Sequence, residues 1–264
     1  MNELQKLSEL LKNKSSMVAL LAPSFPIVFN PSTICGQLNR LGFENIVEVS
    51  VGAKQTNTML IEALNNDINS RFITSPCPNV VRIIRTKYPQ AIPYLATSID
   101  SPMIASAKIV KQKFPNKQIV FIGPCLVKKL EASEDYPELN ILCVTYKDIQ
   151  QLFLEKNIKE KESDKNISFD ITNSNTRLYP ISGGLVQSSG VRDMLAEEDI
   201  QVVSGPKNVD KAINNFLTSK NIRLLDILFC DGGCINGAGI NSLLDIDQRR
   251  KKISDYFVAG TGTH

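Results

Sequence analysis

The 264 residues predict an α/β fold, either one large domain or two lobes sharing a cleft. Three observations carry that prediction. The apolar runs are short, aliphatic and largely uninterrupted, as in strands buried on both faces of a parallel sheet. Amphipathic stretches of helical length separate them. A hydrophobic content of 42% against 22% charged residues is that of an ordinary soluble protein with ample core.

In chain order, 1–15 (MNELQKLSELLKNKS) is amphipathic and charged, without the apolar centre and small-residue cleavage site of a secretory signal. Strands are predicted over 17–22 (MVALLA), 45–51 (NIVEVSV), 71–74, 118–123 (QIVFIG), 139–145 (LNILCVT) and 223–229 (RLLDILF). Helices are predicted over 31–41, 55–68, 79–87, 102–114, 147–155, 185–195 and 208–219, with Thr56 and Asp210 placed as caps. The charged stretch 155–166 (EKNIKEKESDKN) reads as a solvated loop marking a tolerated insertion. A weak junction at 113–118 (KFPNKQ) separates the two expected lobes, and 243–257 (LLDIDQRRKKISDYF) reads as a basic surface helix packed on the body.

With 30 basic and 27 acidic residues, the net charge of +3 gives no reason to expect nucleic acid or an anionic membrane as a partner. No apolar run approaches the ~20 residues that span a bilayer. The expected location is cytoplasmic, where six cysteines are thiols or metal ligands rather than a disulfide framework. The single histidine is His264, so histidine base chemistry and mixed Cys/His zinc sites are nearly excluded. Any metal site must be built from sulfur, oxygen or backbone.

Three cysteines share a setting. Cys77 (FITSPCP), Cys125 (IVFIGPC) and Cys230 (LLDILFCDGGC) each follow a predicted strand, and Cys234 lies four residues beyond Cys230. Ligands of open α/β sheets gather beyond the carboxyl ends of the strands. Parallel strands would therefore bring these thiols to one edge. Glycine lets backbone approach a bulky group, and proline fixes the approach. Four converging thiolates suit zinc or an iron–sulfur cubane. Spacings of 48 and 105 residues between the first three, with no paired knuckle, favour a cluster over zinc or over unrelated buried cysteines. Cys35 and Cys143 lie inside apolar periodic segments and read as small core hydrophobes.

The motifs TSPCP (74–78), GPCLVKKLE (123–131) and CDGGCINGAG (230–239) resemble, in order, the signature loops of the iron-only ([FeFe]) hydrogenase large-subunit catalytic domain. LAPSF (21–25) is similar to that family's Ala-Pro-Ser loop, and YPISGGLVQSSGVRD (179–193) to its Gly-Gly turn into a helix. The resemblance implies two α/β lobes, each a mainly parallel twisted sheet flanked by helices, with a metal-cluster cleft between them. The N-terminal lobe would be 1–114 with the Cys77 loop. The C-terminal lobe would be 115–264, with the Cys125, Cys230 and Cys234 loops and the last helix. It implies a 4Fe-4S cubane on Cys77, Cys125, Cys230 and Cys234, with Cys234 bridging to a di-iron unit that carries CO, cyanide and a dithiolate. Lys128 would face an iron-bound cyanide with Glu131 supporting it. Ala22, Pro23 and Ser24 would line the other cyanide, and Gly183 and Gly184 would border the cofactor. The implied partners are H2 or protons, a redox or signalling protein supplying electrons, and cluster maturation factors. Without that context, Lys128 and Glu131 would read as an exposed i,i+3 ion pair.

This chain departs from the family pattern where protons are handled. Pro76 stands where the family has a proton-passing cysteine, and Leu60 and Ala63 stand at two relay glutamates, with Glu62 nearby. Ala96 replaces a serine, Gly123 a methionine, Met103 a glutamine, Asp100 a lysine, Phe229 an alanine and Ile240 a glutamine. No C-x-x-C-x-x-C run supplies a ferredoxin-type cluster. The expectation is weak H2 turnover with a role in sensing H2 or redox state. The alternative is a protein holding the cubane alone, for electron transfer or cluster assembly.

Overall fold

The computed structural model describes residues 2–262. His264 lies outside the described residues. α1 (Glu3–Lys12) opens the chain, and its N-terminus is closed by Asn2 and Gln5, each side chain taking the other's backbone N–H. There follow β1 (Met17–Leu21), α2 (Ile34–Leu41), β2 (Asn45–Glu48), α3 (Ser50–Asn66), β3 (Phe72–Ile73), α4 (Pro78–Lys87), α5 (Pro102–Lys113) and β4 (Gln118–Gly123). The second half holds α6 (Lys128–Leu130), which runs into a π-turn over Glu131–Asp135, then β5 (Ile141–Thr145), α7 (Tyr146–Glu155), α8 (Gly184–Ser189), β6 (Ile200–Ser204), α9 (Pro206–Thr218), β7 (Leu224–Leu228) and α10 (Ile246–Thr261). No helix among the described residues is long and apolar enough to cross a membrane.

Two parallel sheets result. The first has the order β2-β1-β4-β5, with Leu20 beside Phe121 and Phe121 beside Cys143. The second has the order β3-β7-β6, and a lone bridge from Ile73 to Leu95 stands where a fourth strand would pair. β1 and β7 are buried along their whole length. Each fully buried Leu or Ile there contributes about 1.5–3 kcal/mol. Helices cover both faces, as parallel sheets require.

The expected division at 114/115 does not match the sheets. β1 pairs with β4, and β3 pairs with β7, so each sheet draws strands from both halves. Parallel neighbours need crossover connections, and here the chain crosses between sheets as it makes them. Thr56 and Asp210 are not caps. Helices α3 and α9 start at Ser50 and Pro206, and Thr56 donates to Gly52 O and Asp100 O instead. The predicted helix at 185–195 stops at Ser189, where Gly190 turns left-handed at φ 77°. β6 carries no continuous apolar run and is only half-buried, so no strand is predicted there. The charged stretch 155–166 is not wholly solvated: Asp164 is buried and takes two hydrogen bonds from Arg40 at 2.8 Å each.

Candidate functional site

The carboxyl ends of four strands supply one site. The Ala22-Pro23-Ser24 turn follows β1, Pro76-Cys77 follows β3, Pro124-Cys125 follows β4, and Cys230 follows β7. Ala22, Pro23 and Ser24 line a cavity together with Pro76, Cys125, Lys128 and Cys234. Its remaining walls are largely apolar, with Met103, Phe121, Leu185 and Leu228 among them.

Loop-to-loop contacts hold these tips in place. Gly233 has φ +106°, and a Cβ there would lie 2.5 Å from Pro180 O, so only glycine fits between Gly232 and Cys234. That close approach lets Ser182 N–H bond Gly232 O at 2.9 Å and Ile235 N–H bond Pro180 O at 3.2 Å. Gly239 N–H donates to Pro124 O at 2.7 Å, tying the Cys234 loop to the Cys125 loop across more than 100 residues of sequence. Gly183 and Gly184 are not among the residues lining the cavity. They form the left-handed turn and tight contact with Leu178 that start α8, whose Leu185 reaches the cavity wall.

The cysteines act on one another. Burial raises the Cys234 thiol far above its ordinary range, and the charges of Cys77, Cys125 and Cys230 raise it further, against Lys128. Burial raises Cys230 to about 11, with Cys77 and Cys125 adding. Cys77 is raised by burial too, while the Val80 and Phe229 N–H groups pull it down. Such thiols ionise together only around a positive centre. Among the described residues no group of three or more His, Cys, Asp or Glu side chains is placed to hold a metal ion. Cys35 and Cys143 lie in the apolar core, each pushed up to about 12 by burial.

Lys128 and Glu131 are not an exposed pair. They are 8% and 6% exposed, with Nζ 2.5 Å from Glu131 Oε2 and 3.1 Å from Ser101 Oγ. Burial works to lower the Lys128 pKa, but the charge and hydrogen bond of Glu131, then Cys125 and Cys234, raise it overall. A fixed ammonium therefore stands in the cavity wall. Ser24 is fully buried, with Oγ 2.7 Å from the Tyr146 hydroxyl, which donates to Ala22 O at 2.8 Å. Since Tyr146 spends its proton on the carbonyl, Ser24 must donate to Tyr146. Ser24 then offers the cavity only lone pairs.

Of the residues expected around a proton relay, Pro76 lines the cavity and Leu60 is buried, while Glu62 is exposed and does not replace either glutamate. The Phe121 ring occupies the space beside Gly123: a Cβ at Gly123 would come within 2.5 Å of it. Asp100 pairs with Lys108 at 2.7 Å. Three residues escaped the sequence reading: Phe121, Tyr146 and Asp226. Asp226 had a signal, a lone charge inside the apolar run LLDIL.

A family model described as iron only hydrogenase large subunit, C-terminal domain, matches residues 15–238. Iron hydrogenase 1 of Clostridium pasteurianum is 22% identical over 253 residues, covering 76% of this chain and 44% of that protein. The cytosolic Fe-S cluster assembly factor NAR1 of Yarrowia lipolytica is 27% identical over 140 residues, covering 46% of this chain and 28% of that protein. The chain thus spans less than half the length of either relative. A solved structure of the [FeFe]-hydrogenase HydA1 from Chlamydomonas reinhardtii superposes with a TM-score of 0.74 at 16% identity, over 97% of this chain and 88% of that one. That likeness bears out the α/β architecture. With a family match spanning most of its length and the family's fold in its strands, this chain belongs to the iron-only hydrogenase large subunit, C-terminal domain family.

Proposed function

We propose that the chain is a hydrogenase-like domain in which Cys77, Cys125, Cys230 and Cys234 hold a 4Fe-4S cubane and the adjoining cavity houses a di-iron unit bridged through Cys234. It would turn over H2 weakly and report H2 or redox state to a partner protein. The supporting observation is that Cys125, Cys234 and the buried Lys128 share one cavity wall with Pro76, a residue without an ionisable group. The donor set fits a cluster. Its donors are four cysteine thiols on loops beyond strand ends, the ligand set that a 4Fe-4S cubane takes.

When bound, the group would supply the redox chemistry at which H2 is split or formed. The chain's own side chains do the rest. Lys128, held by Glu131 and Ser101, offers a fixed positive charge to an anionic ligand. Met103, Phe121 and Leu228 keep water from that side of the cavity. Ser24 accepts but does not donate, which makes it a poor partner for cyanide while Tyr146 stays in place. The electrons, H2 or protons, and maturation factors come from outside the chain.

The second reading, a cubane-only protein for electron transfer or cluster assembly, is favoured by the apolar fill at Met103 and Phe121 and by the relation to a cluster assembly factor. Anaerobic reconstitution with iron, sulfide and a synthetic di-iron cofactor separates the two. Infrared bands of iron-bound CO and cyanide with about six irons per chain support the first reading. About four irons without those bands establish the second. A colourless protein that retains no iron refutes both.

A further inference from the structure

β7 is buried from end to end, yet it carries a carboxyl group at its centre. Asp226 is 2% exposed and lies in the wall of the cavity that Cys125, Cys234 and Lys128 also line. The Thr74 hydroxyl reaches Oδ1 at 3.4 Å and itself accepts the Ile227 N–H at 3.2 Å. Oδ2 is buried and has no hydrogen-bond partner. An ionised carboxylate with a bare oxygen in an apolar wall is strongly disfavoured, so the group takes up a proton instead.

The surroundings do not reverse that preference. From β3 the facing group is the neutral Thr74, and from α8 it is the Val186 N–H. β6 sets Val202 beside it and α3 brings Ala53 to the same cavity. The adjacent titratable group is Tyr179, whose hydroxyl is committed to Asn57 Oδ1 at 3.0 Å. Lys128, the cavity's ammonium, is bonded to Glu131 and Ser101. Burial lifts the carboxyl to about 7, with Thr74 and Val186 working against it.

We propose that Asp226 is the proton-exchanging residue of the cavity, holding a proton on Oδ2 and trading it with water or a basic ligand admitted there. The Oδ2–H bond breaks and the proton passes to that base. The electron pair stays on Asp226 as a carboxylate, and a proton from solvent water restores the acid. No electron moves. The carboxyl lines the same cavity as Pro76, which itself carries no ionisable group. Its service to an iron-bound centre rests on the proposed function, whereas its exchange with solvent does not.

The test is infrared difference spectroscopy of the full chain from about pH 5 to pH 9, metal-free and reconstituted, in H2O and D2O. The expected result is one protonated-carboxyl band that bleaches with a midpoint near 7 and shifts in D2O. It should vanish in Asp226→Asn and return, at a new frequency, in Asp226→Glu. A purely structural carboxyl would show no such titration and exchange. Absence of the band, its persistence in Asp226→Asn, or a band that neither titrates nor exchanges overturns the proposal. In the reconstituted protein, CO and cyanide bands that drift with the same midpoint, and lose that drift in Asp226→Asn, support coupling to the centre. If no such bands form at all, the proposed function fails, and the metal-free spectra still decide the role of Asp226.

Discussion

Replacing Asp226 with asparagine should change how folding stability depends on pH. The native carboxyl titrates near 7, against 3.8 for the free side chain. Between those values the native state binds a proton that the unfolded chain has released. Stability therefore falls as pH rises through this window, by about 1.4 kcal/mol per pH unit. Below 3.8 both states are protonated, and above 7 both are ionised, so the effect is flat outside it. Across roughly 3 pH units the ceiling is about 4 kcal/mol; water reaching Oδ2 would lower it. Asparagine keeps the shape and cannot ionise. The raised thiols Cys77, Cys230 and Cys234 stay neutral below pH 8 and contribute nothing to the difference. Urea unfolding of metal-free, reduced protein at about pH 4, 5, 6, 7 and 8 measures it. The variant should gain on the wild type steadily between pH 4 and 7. Parallel curves for the two proteins would show that the carboxyl is not desolvated as the geometry requires.

Glu131→Gln leaves the Lys128 ammonium buried without its counter-charge and should cost about 3–5 kcal/mol by urea unfolding; a loss under 1 kcal/mol would mean the pair is solvated. Tyr146→Phe removes one of two donors to Ala22 O, which keeps the Phe25 N–H, costing about 0.5–1.5 kcal/mol, and frees the Ser24 hydroxyl to donate into the cavity. In reconstituted protein it should shift one cyanide band and leave the others in place. Gly123→Met drives a side chain into the Phe121 ring and should cost about 1–3 kcal/mol. Combining it with Phe121→Ala should recover part of both losses, a coupling above about 0.5 kcal/mol in a double-mutant cycle; strict additivity would refute the shared space.

The strands that matter were legible because parallel strands buried on both faces need unbroken aliphatic runs, and MVALL, QIVFIG and LLDIL are such runs. The motif order around Cys77, Cys125, Cys230 and Cys234 was legible too, since proline and glycine at strand ends leave a local mark. Edge strand β6 left none, because a half-buried strand has no continuous apolar pattern. The cap assignments at Thr56 and Asp210 failed because α3 follows β2 with one intervening residue and α9 starts at a positive-φ glycine, so neither helix uses a polar side-chain cap.

Sequence alone determined the chemistry on offer: thiols at strand ends, a lysine and glutamate three apart, and a proline immediately before Cys77. Tertiary structure alone decided what those groups experience. Burial turned Lys128 and Glu131 from a surface pair into a fixed internal charge, and Tyr146, 122 residues from Ser24, claimed that serine's proton. The crossing of the chain between two sheets brought Asp226 to the same cavity with one oxygen bare. Burial and hydrogen-bond partnership depend on residues distant in the chain, so no local pattern encodes them.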